Sequence, residues 1–180
     1  MTSTIESDVE ENLDQLSDDK ATIRRVLLFA GVIAALLLVR SFALEPVRVR
    51  SDSMAPALSS GAMLLIDKVT LRTREPHRGE IVVAIDPRNG DTIVKRVVAV
   101  GGDSVGIEDG MLVLNGKTVV ENYIDNDNMD GYYTGPDLVP LGHVFLLGDN
   151  RDTSEDSRAF GPVAVDDIDG RVMGKIWPFG

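Results

Sequence analysis

The sequence contains no cysteine. Disulfides, thiolate zinc sites and cysteine nucleophiles are excluded together. Histidine is nearly as scarce, with only His77 and His143. No HExxH is present, which excludes a zincin. No GxSxG elbow is present either, so neither histidine has a nucleophile to serve in a Ser-His-Asp hydrolase. Basic residues are in the minority: 18 Lys and Arg face 29 Asp and Glu, for a net charge of −11. That balance argues against nucleic acid as a partner. There is no internal repeat, and no helical period of useful length beyond the first quarter of the chain. No metal and no cofactor is expected.

What the chain does have is arranged in three stretches. Residues 1–22 form an acidic tail, with Glu6, Asp8, Glu10, Glu11, Asp14, Asp18 and Asp19 against Lys20. So few apolar residues predict a flexible or weakly helical segment. Val26 to Val39 is an unbroken apolar run behind Arg24 and Arg25. It covers about 21 Å as a helix, short of a hydrocarbon core of about 30 Å. Extension to Leu44 reaches about 28 Å and takes in Arg40, whose stem can stay in lipid while its head reaches the interface. A single transmembrane helix over residues 23–45 is the expectation. A cleaved secretory signal is the competing reading, because Ser41-Phe42-Ala43 offers small residues at the right positions. The long acidic extension ahead of the run and Arg40 beside the supposed cut favour a retained anchor. Lys20, Arg24 and Arg25 on one side nearly balance Arg40, Arg48 and Arg50 on the other, so charge alone does not orient the span.

Residues 46–180 read as a mainly antiparallel β domain. Short apolar runs recur at Met63–Ile66, Ile81–Ile85, Ile93–Val100, Met111–Leu114, Val144–Leu147 and Val172–Trp177, punctuated by glycine, proline and asparagine. Asn115-Gly116 predicts a tight hairpin between Met111–Leu114 and Lys117–Val120. Residues 121–140 are polar and read as a long surface loop. Asn126-Asp127-Asn128 lacks the ligand spacing of an EF-hand.

Two residues in this domain suggest chemistry. Lys95 lies in an apolar strand and shares a face with Ile93, Val97 and Ala99. Burial there disfavours the ammonium. An ordinary lysine is neutral in only about one molecule in two thousand at pH 7, so desolvation would make it a usable base. Arg96 on the opposite face cannot give up its proton. Ser53 follows a strand and precedes Pro56, where a turn can project its hydroxyl and offer backbone N–H groups to an oxyanion. Taken singly, each also fits a plainer reading: a lysine snorkelling to a sheet edge, and a serine in a turn. A third stretch, Gly148-Asp149-Asn150-Arg151 with Ser154, Asp156, Ser157 and Arg158, reads as a tight loop that orders itself through side-chain bonds to its backbone.

Together these stretches resemble the type I signal peptidases, membrane-anchored serine proteases that remove signal peptides. The resemblance runs from the anchor to the C-terminus. It is carried by Ser53-Met54-Ala55-Pro56, by Arg78-Gly79-Glu80-Ile81-Val82-Val83, by Lys95-Arg96-Val97 through Gly101-Gly102-Asp103, and by Gly148-Asp149-Asn150-Arg151 with the residues after it. The resemblance implies Ser53 as nucleophile and Lys95 as general base. It implies Ser51 as a hydroxyl of the oxyanion hole, Ser154 as a residue that orients the lysine, and Asp156 and Arg158 as a supporting ion pair. It implies preprotein signal peptides as substrates, with small residues at the first and third positions before the cut. It also implies a lipid bilayer around the anchor, the secretion translocon as a neighbour, a cytoplasmic N-terminus, and a catalytic domain outside a bacterial plasma membrane. Ala57, Glu80, Ala84 and Gly101 depart from the family's usual threonine, aspartate, aromatic and proline, and bear on pocket shape. Met54, Leu58 and the terminal Trp177-Pro178-Phe179 could form an apolar surface lying on the bilayer; the plainer reading of the aromatics is a place in the core. A self-cleaving Ser-Lys protein and a tethered β module that binds peptides without cutting them are the alternatives.

Overall fold

The structure, a computed structural model, describes residues 22–38, 43–124 and 133–178. The chain divides into two units, Met1–Phe42 and Ala43–Gly180. The acidic tail before residue 22 lies outside the described residues. In the first unit, residues 22–38 form helix α1. Its apolar side chains, among them Val26, Leu27, Phe29, Val32, Leu36 and Leu37, are exposed around the whole helix. Of the span expected as an anchor, 23–45, residues 23–38 are helical. Residues 39–42 lie outside the described residues, and Leu44 and Glu45 already belong to a strand rather than a helix. Their backbone pairs with Asp67 and Ile66 of the next strand, which ends any helix before them. Among the described residues no helix is long and apolar enough to cross a membrane.

The second unit is antiparallel β, as its alternating apolar runs predict. Its strands are β1 (Leu44–Arg48), β2 (Met63–Asp67), β3 (Ile81–Ile85), β4 (Thr92–Val100), β5 (Ser104–Glu108), β6 (Met111–Leu114), β7 (Lys117–Thr118), β8 (Thr134–Leu138), β9 (His143–Leu147), β10 (Val163–Ala164) and β11 (Ile168–Trp177). One short helix, α2 (Ser157–Phe160), lies between β9 and β10. Seven strands form one sheet in the order β1-β2-β11-β3-β4-β9-β10, and four form a second in the order β7-β6-β5-β8. β11, the last of these strands in sequence, lies between β2 and β3 and joins β1-β2 to β3-β4-β9-β10.

The hairpin expected at Asn115-Gly116 is present. Both residues have positive φ, 53° and 74°, the backbone that a two-residue turn between twisted strands demands. The surface loop expected over 121–140 is not all loop. Thr134–Leu138 is strand β8, paired with β5, and Glu121 is buried.

Three apolar clusters fill the unit. One gathers Val49, Met54, Leu58, Ala62, Leu64, Ile66 and Val83. A second holds Val82, Ala84, Val97, Val144, Leu146 and Val163. The third lies towards the smaller sheet, with Val98, Ala99, Val105, Ile107, Leu112 and Phe145. β4 serves all three because its alternation breaks: the pairing with β9 shifts between Val97 and Ala99. The extra residue is a bulge, and it reverses which face the following side chains take. Lys95 therefore shares a face with Ile93 and Val97 as expected, but not with Ala99, which packs beside Val98 in the third cluster.

Candidate active site

Ser53 sits on a turn pinned at both ends. Met54, fully buried, and Leu58 insert into the first cluster. The Leu58 amide donates to Met54 O at 2.8 Å, and Ala55 N to Asp52 O at 3.0 Å. The Asp52 carboxylate accepts from Ser60 N at 2.8 Å. With its neighbour locked in the core, Ser53 is held at the turn's surface. Met54 and Leu58 are thus core residues and not part of a bilayer-facing surface, because seating them beneath the turn removes their apolar area from water.

Lys95 comes from the middle of β4 and is only 4% exposed. Its Nζ lies 2.8 Å from Ser53 Oγ, bridging 42 positions of sequence. Burial pushes the Lys95 amine below the ordinary lysine value. Asp156, Asp86 and Glu155 pull the other way, and Arg158 adds to the lowering. Desolvation wins because the carboxylates act at a distance, and Asp156 and Asp86 each spend their charge on an arginine of their own. Ser51 Oγ approaches Ser53 Oγ at 3.2 Å, so a second hydroxyl stands beside the first.

The loop after β9 closes the site from the third side. Asn150 N donates to Ser53 O at 3.1 Å. Gly148 is packed so closely that a Cβ there would lie 2.2 Å from Ser154 Oγ and 2.5 Å from Ser53 O. Asp156 caps α2 and accepts from Gly148 N at 3.0 Å. It also forms the expected ion pair with Arg158, Nε to Oδ1 at 2.8 Å. Arg158 in turn donates to the carbonyls of Arg151 and Ser154. Ser157 Oγ accepts from Leu146 N at 2.9 Å, stitching the helix to β9.

Ser154 departs from the expectation. Among the described residues Ser154 Oγ is buried without a hydrogen-bond partner, so the hydrogen bond to Lys95 is not made. Its amide is fixed to Asn150 O at 3.1 Å and its side chain packs on Gly148, which directs the hydroxyl there.

Sequence reasoning passed over a second layer behind the site. Arg96 reaches Asp149 with two bonds, 2.8 and 2.6 Å. Tyr123 covers the Arg96 guanidinium, 3.9 Å from the ring centroid. Glu121 accepts from both Tyr123 and Arg151. The alternation of β4 did signal that Arg96 points away from Lys95; nothing in the polar run after residue 120 signalled its aromatic cover. Farther out, Arg78 forms a two-bond ion pair with Asp103, joining two of the motifs.

A cleft of about 750 Å3 opens onto Ser53 and Lys95. Met54, Ile66, Val83, Ile93 and Val94 give it an apolar wall, and Arg48, Arg50, Lys68, Asp91 and Asp169 a charged rim.

Residues 22–177 match the family model of signal peptidase, peptidase S26. A probable signal peptidase I-2 of Synechocystis is 36% identical, over 88% of this chain and 72% of that protein. Signal peptidase IB of Staphylococcus aureus is 32% identical, over 89% of this chain and 92% of that protein. A crystal structure of a signal peptidase I from Enterococcus faecalis covers 54% of this chain and 97% of its own, at 30% identity and a TM-score of 0.49. The chain belongs to the signal peptidase family, peptidase S26. Its activity is that of a signal peptidase I, a serine endopeptidase.

Proposed function

We propose that Ser53 is the nucleophile and Lys95 the general base in the removal of signal peptides from exported preproteins. The observation that carries this reading is the 2.8 Å separation of Lys95 Nζ and Ser53 Oγ around a buried amine. Neutral Lys95 takes the Ser53 hydroxyl proton as Oγ bonds to the scissile carbonyl carbon. The oxyanion that forms is met by the Ser53 N–H and the Ser51 hydroxyl. When the intermediate collapses, the C–N bond breaks and the Lys95 ammonium returns its proton to the leaving amine. Water then attacks the acyl-Ser53 ester with Lys95 again as base, which releases the signal peptide and restores the serine. Asp156 and Arg158 hold the loop that supports Ser53 from behind.

The apolar wall of the cleft suits small side chains, with alanine at the first and third positions before the cut. Helix α1 and the apolar residues after it anchor the protein in a bacterial plasma membrane, N-terminus in the cytoplasm and β domain outside. That topology also sets the β domain beside the secretion translocon. Protease added to the outer face of intact spheroplasts should digest the β domain and leave the N-terminal tail; the opposite pattern would reverse the orientation.

Cleavage of a preprotein by the purified full chain tests the dyad. Ser53→Ala and Lys95→Ala should each lose about a hundredfold or more in rate. Equal cleavage by wild type and both variants would refute it. The value of kcat/KM should rise with pH through an alkaline midpoint as Lys95 loses its proton. A profile flat from about pH 6 to 10 would contradict a lysine base.

A further inference from the structure

We propose that Glu121 and Tyr123 are positioning residues that clamp the Gly148–Arg151 turn to β4 and so keep Ser53 and Lys95 in register. The inference rests on the reading of those two residues as nucleophile and base. Neither positioning residue touches the dyad. Both lie in the segment that leaves the smaller sheet after β7, yet they complete a closed circuit around Gly148. Tyr123 stacks on Arg96 and donates from Oη to Glu121 Oε1 at 2.5 Å. The same oxygen accepts from Arg151 Nη2 at 2.6 Å. Arg151 Nε donates to Gly148 O at 3.0 Å. Arg96 returns to the turn through Asp149, the next residue after Gly148.

Both ends of the circuit bear on the reacting pair. Arg96 is the neighbour of Lys95 in β4. Gly148 lies against Ser154 and the Ser53 carbonyl with no room for a methyl group. The Asn150 amide holds that same carbonyl. A turn that slips by a fraction of an ångström therefore carries Ser53 with it.

The chemistry of the circuit suits geometry better than stability. The Glu121 and Arg151 side chains are 2% and 1% exposed. At that depth the cost of desolvation offsets most of the mutual attraction, and an apolar pair of the same volume would stabilise the fold about as well. What an ionic circuit adds is direction, because each bond fixes an angle as well as a distance. Tyr123 is a dependable donor in it: burial and the Glu121 carboxylate both raise its phenol above the ordinary tyrosine value, so it keeps its proton.

The test uses the full chain in detergent micelles, with Tyr123→Phe, Glu121→Leu and Glu121→Gln, and with Lys95→Ala in parallel. Tyr123→Phe keeps the ring on Arg96 and removes one donor. Glu121→Leu keeps volume and removes the acceptor; Glu121→Gln keeps an acceptor. Tyr123→Phe and Glu121→Leu should lower kcat about tenfold or more, as small misplacements of reacting groups do, while KM stays within about twofold. Glu121→Gln should recover most of the rate. The double variant should be no slower than Glu121→Leu alone, because both changes open the same circuit. The alkaline midpoint of kcat/KM should move upward in the slow variants, since a loosened turn admits water to the Lys95 amine. The groups that act on that amine, Asp86, Glu155, Asp156 and Arg158, are untouched by the substitutions.

Rates that fall only in step with the folded fraction in a thermal melt, with an unmoved midpoint, would overturn the proposal. Unchanged rates would do the same. If Glu121→Leu does not fold, Tyr123→Phe decides alone. Cleavage by Lys95→Ala at the wild-type rate would instead bring down the dyad on which the inference stands.

Discussion

At the scale of single residues, Lys95 sets a tension between function and stability. Its amine titrates near the ordinary lysine value in the unfolded chain and lower in the folded one, because burial disfavours the ammonium. Below the folded value, folding must bury a charge and the cost is full. Above the ordinary value both states are neutral and the cost is gone. Lys95→Met keeps the volume and removes the charge, so it should melt several degrees higher than wild type near pH 7. The gain should shrink steadily as the pH rises into the ordinary lysine range. Thermal melts at three pH values check this, and a gain independent of pH would mean that the ammonium is not what costs. Gly148 carries the opposite expectation. Gly148→Ala drives a methyl into Ser154 and the Ser53 carbonyl, and backbone oxygen cannot step aside as a flexible side chain can. It should lose about a hundredfold in kcat, read in the same preprotein assay. The burial of Lys95 was legible in sequence, because a lysine amid valines in a strand has few other places to go. The Ser53 contact, 42 positions away, was reachable only through resemblance. Ser154 shows the limit of resemblance, since its local packing and not its motif decides where its hydroxyl points.

At the scale of elements, the sequence spoke clearly where one local rule governs and less clearly where two strands negotiate. Asn115-Gly116 is a turn because both residues tolerate positive φ. The bulge in β4 has no such mark: Val97, Val98, Ala99 and Val100 are all apolar, so either face accepts them and only the pairing with β9 chooses. The insertion of β11 between β2 and β3 is likewise settled by contacts that period-2 alternation does not encode. Asp67 is the clearest case. Its carboxylate accepts from the Thr70 hydroxyl at 2.5 Å, from Val69 N and Thr70 N, and from Arg171 of β11 at 3.2 Å. Gly170 lets β11 approach, since a Cβ there would meet Asp67 O at 2.6 Å. The Thr70 hydroxyl, the two amides and Arg171 hold the Asp67 carboxyl well below the usual aspartate range, against the opposing effect of burial. A depressed carboxyl stabilises the fold above its unfolded value, and that stability is lost as the pH falls towards its folded one. Asp67→Asn should therefore lower the urea midpoint at pH 7, and the deficit should narrow between about pH 4 and 2. A deficit of constant size would assign the loss to packing and not to charge.

At the scale of the whole molecule, the two sheets divide the labour. The larger one supplies Lys95 and the cleft wall, while the segment leaving the smaller one reaches back to brace the turn behind Ser53. The apolar surface expected near the site is also redistributed. Met54 and Leu58 are spent on the core, and Phe179 lies outside the described residues. Trp177 remains, 57% exposed, on a strand that also exposes Met173 at 54% and Ile176 at 36%. Three large apolar side chains on one exposed strand end are costly in water, at about 25 cal/mol for each Å2 left wet, and a tryptophan whose ring is apolar and whose N–H is polar suits a membrane interface. Trp177 is the sole tryptophan of the chain, so its fluorescence reports on that strand alone. In the full chain reconstituted into lipid vesicles, its emission should lie to the blue of that of a fully hydrated tryptophan, and brominated acyl chains should quench it. Met173→Ser with Ile176→Ser should weaken the quenching, because the strand loses the apolar area that seats it, while cleavage of a soluble peptide substrate continues. Emission and lifetime indifferent to brominated lipid in the wild-type chain would remove β11 from the bilayer.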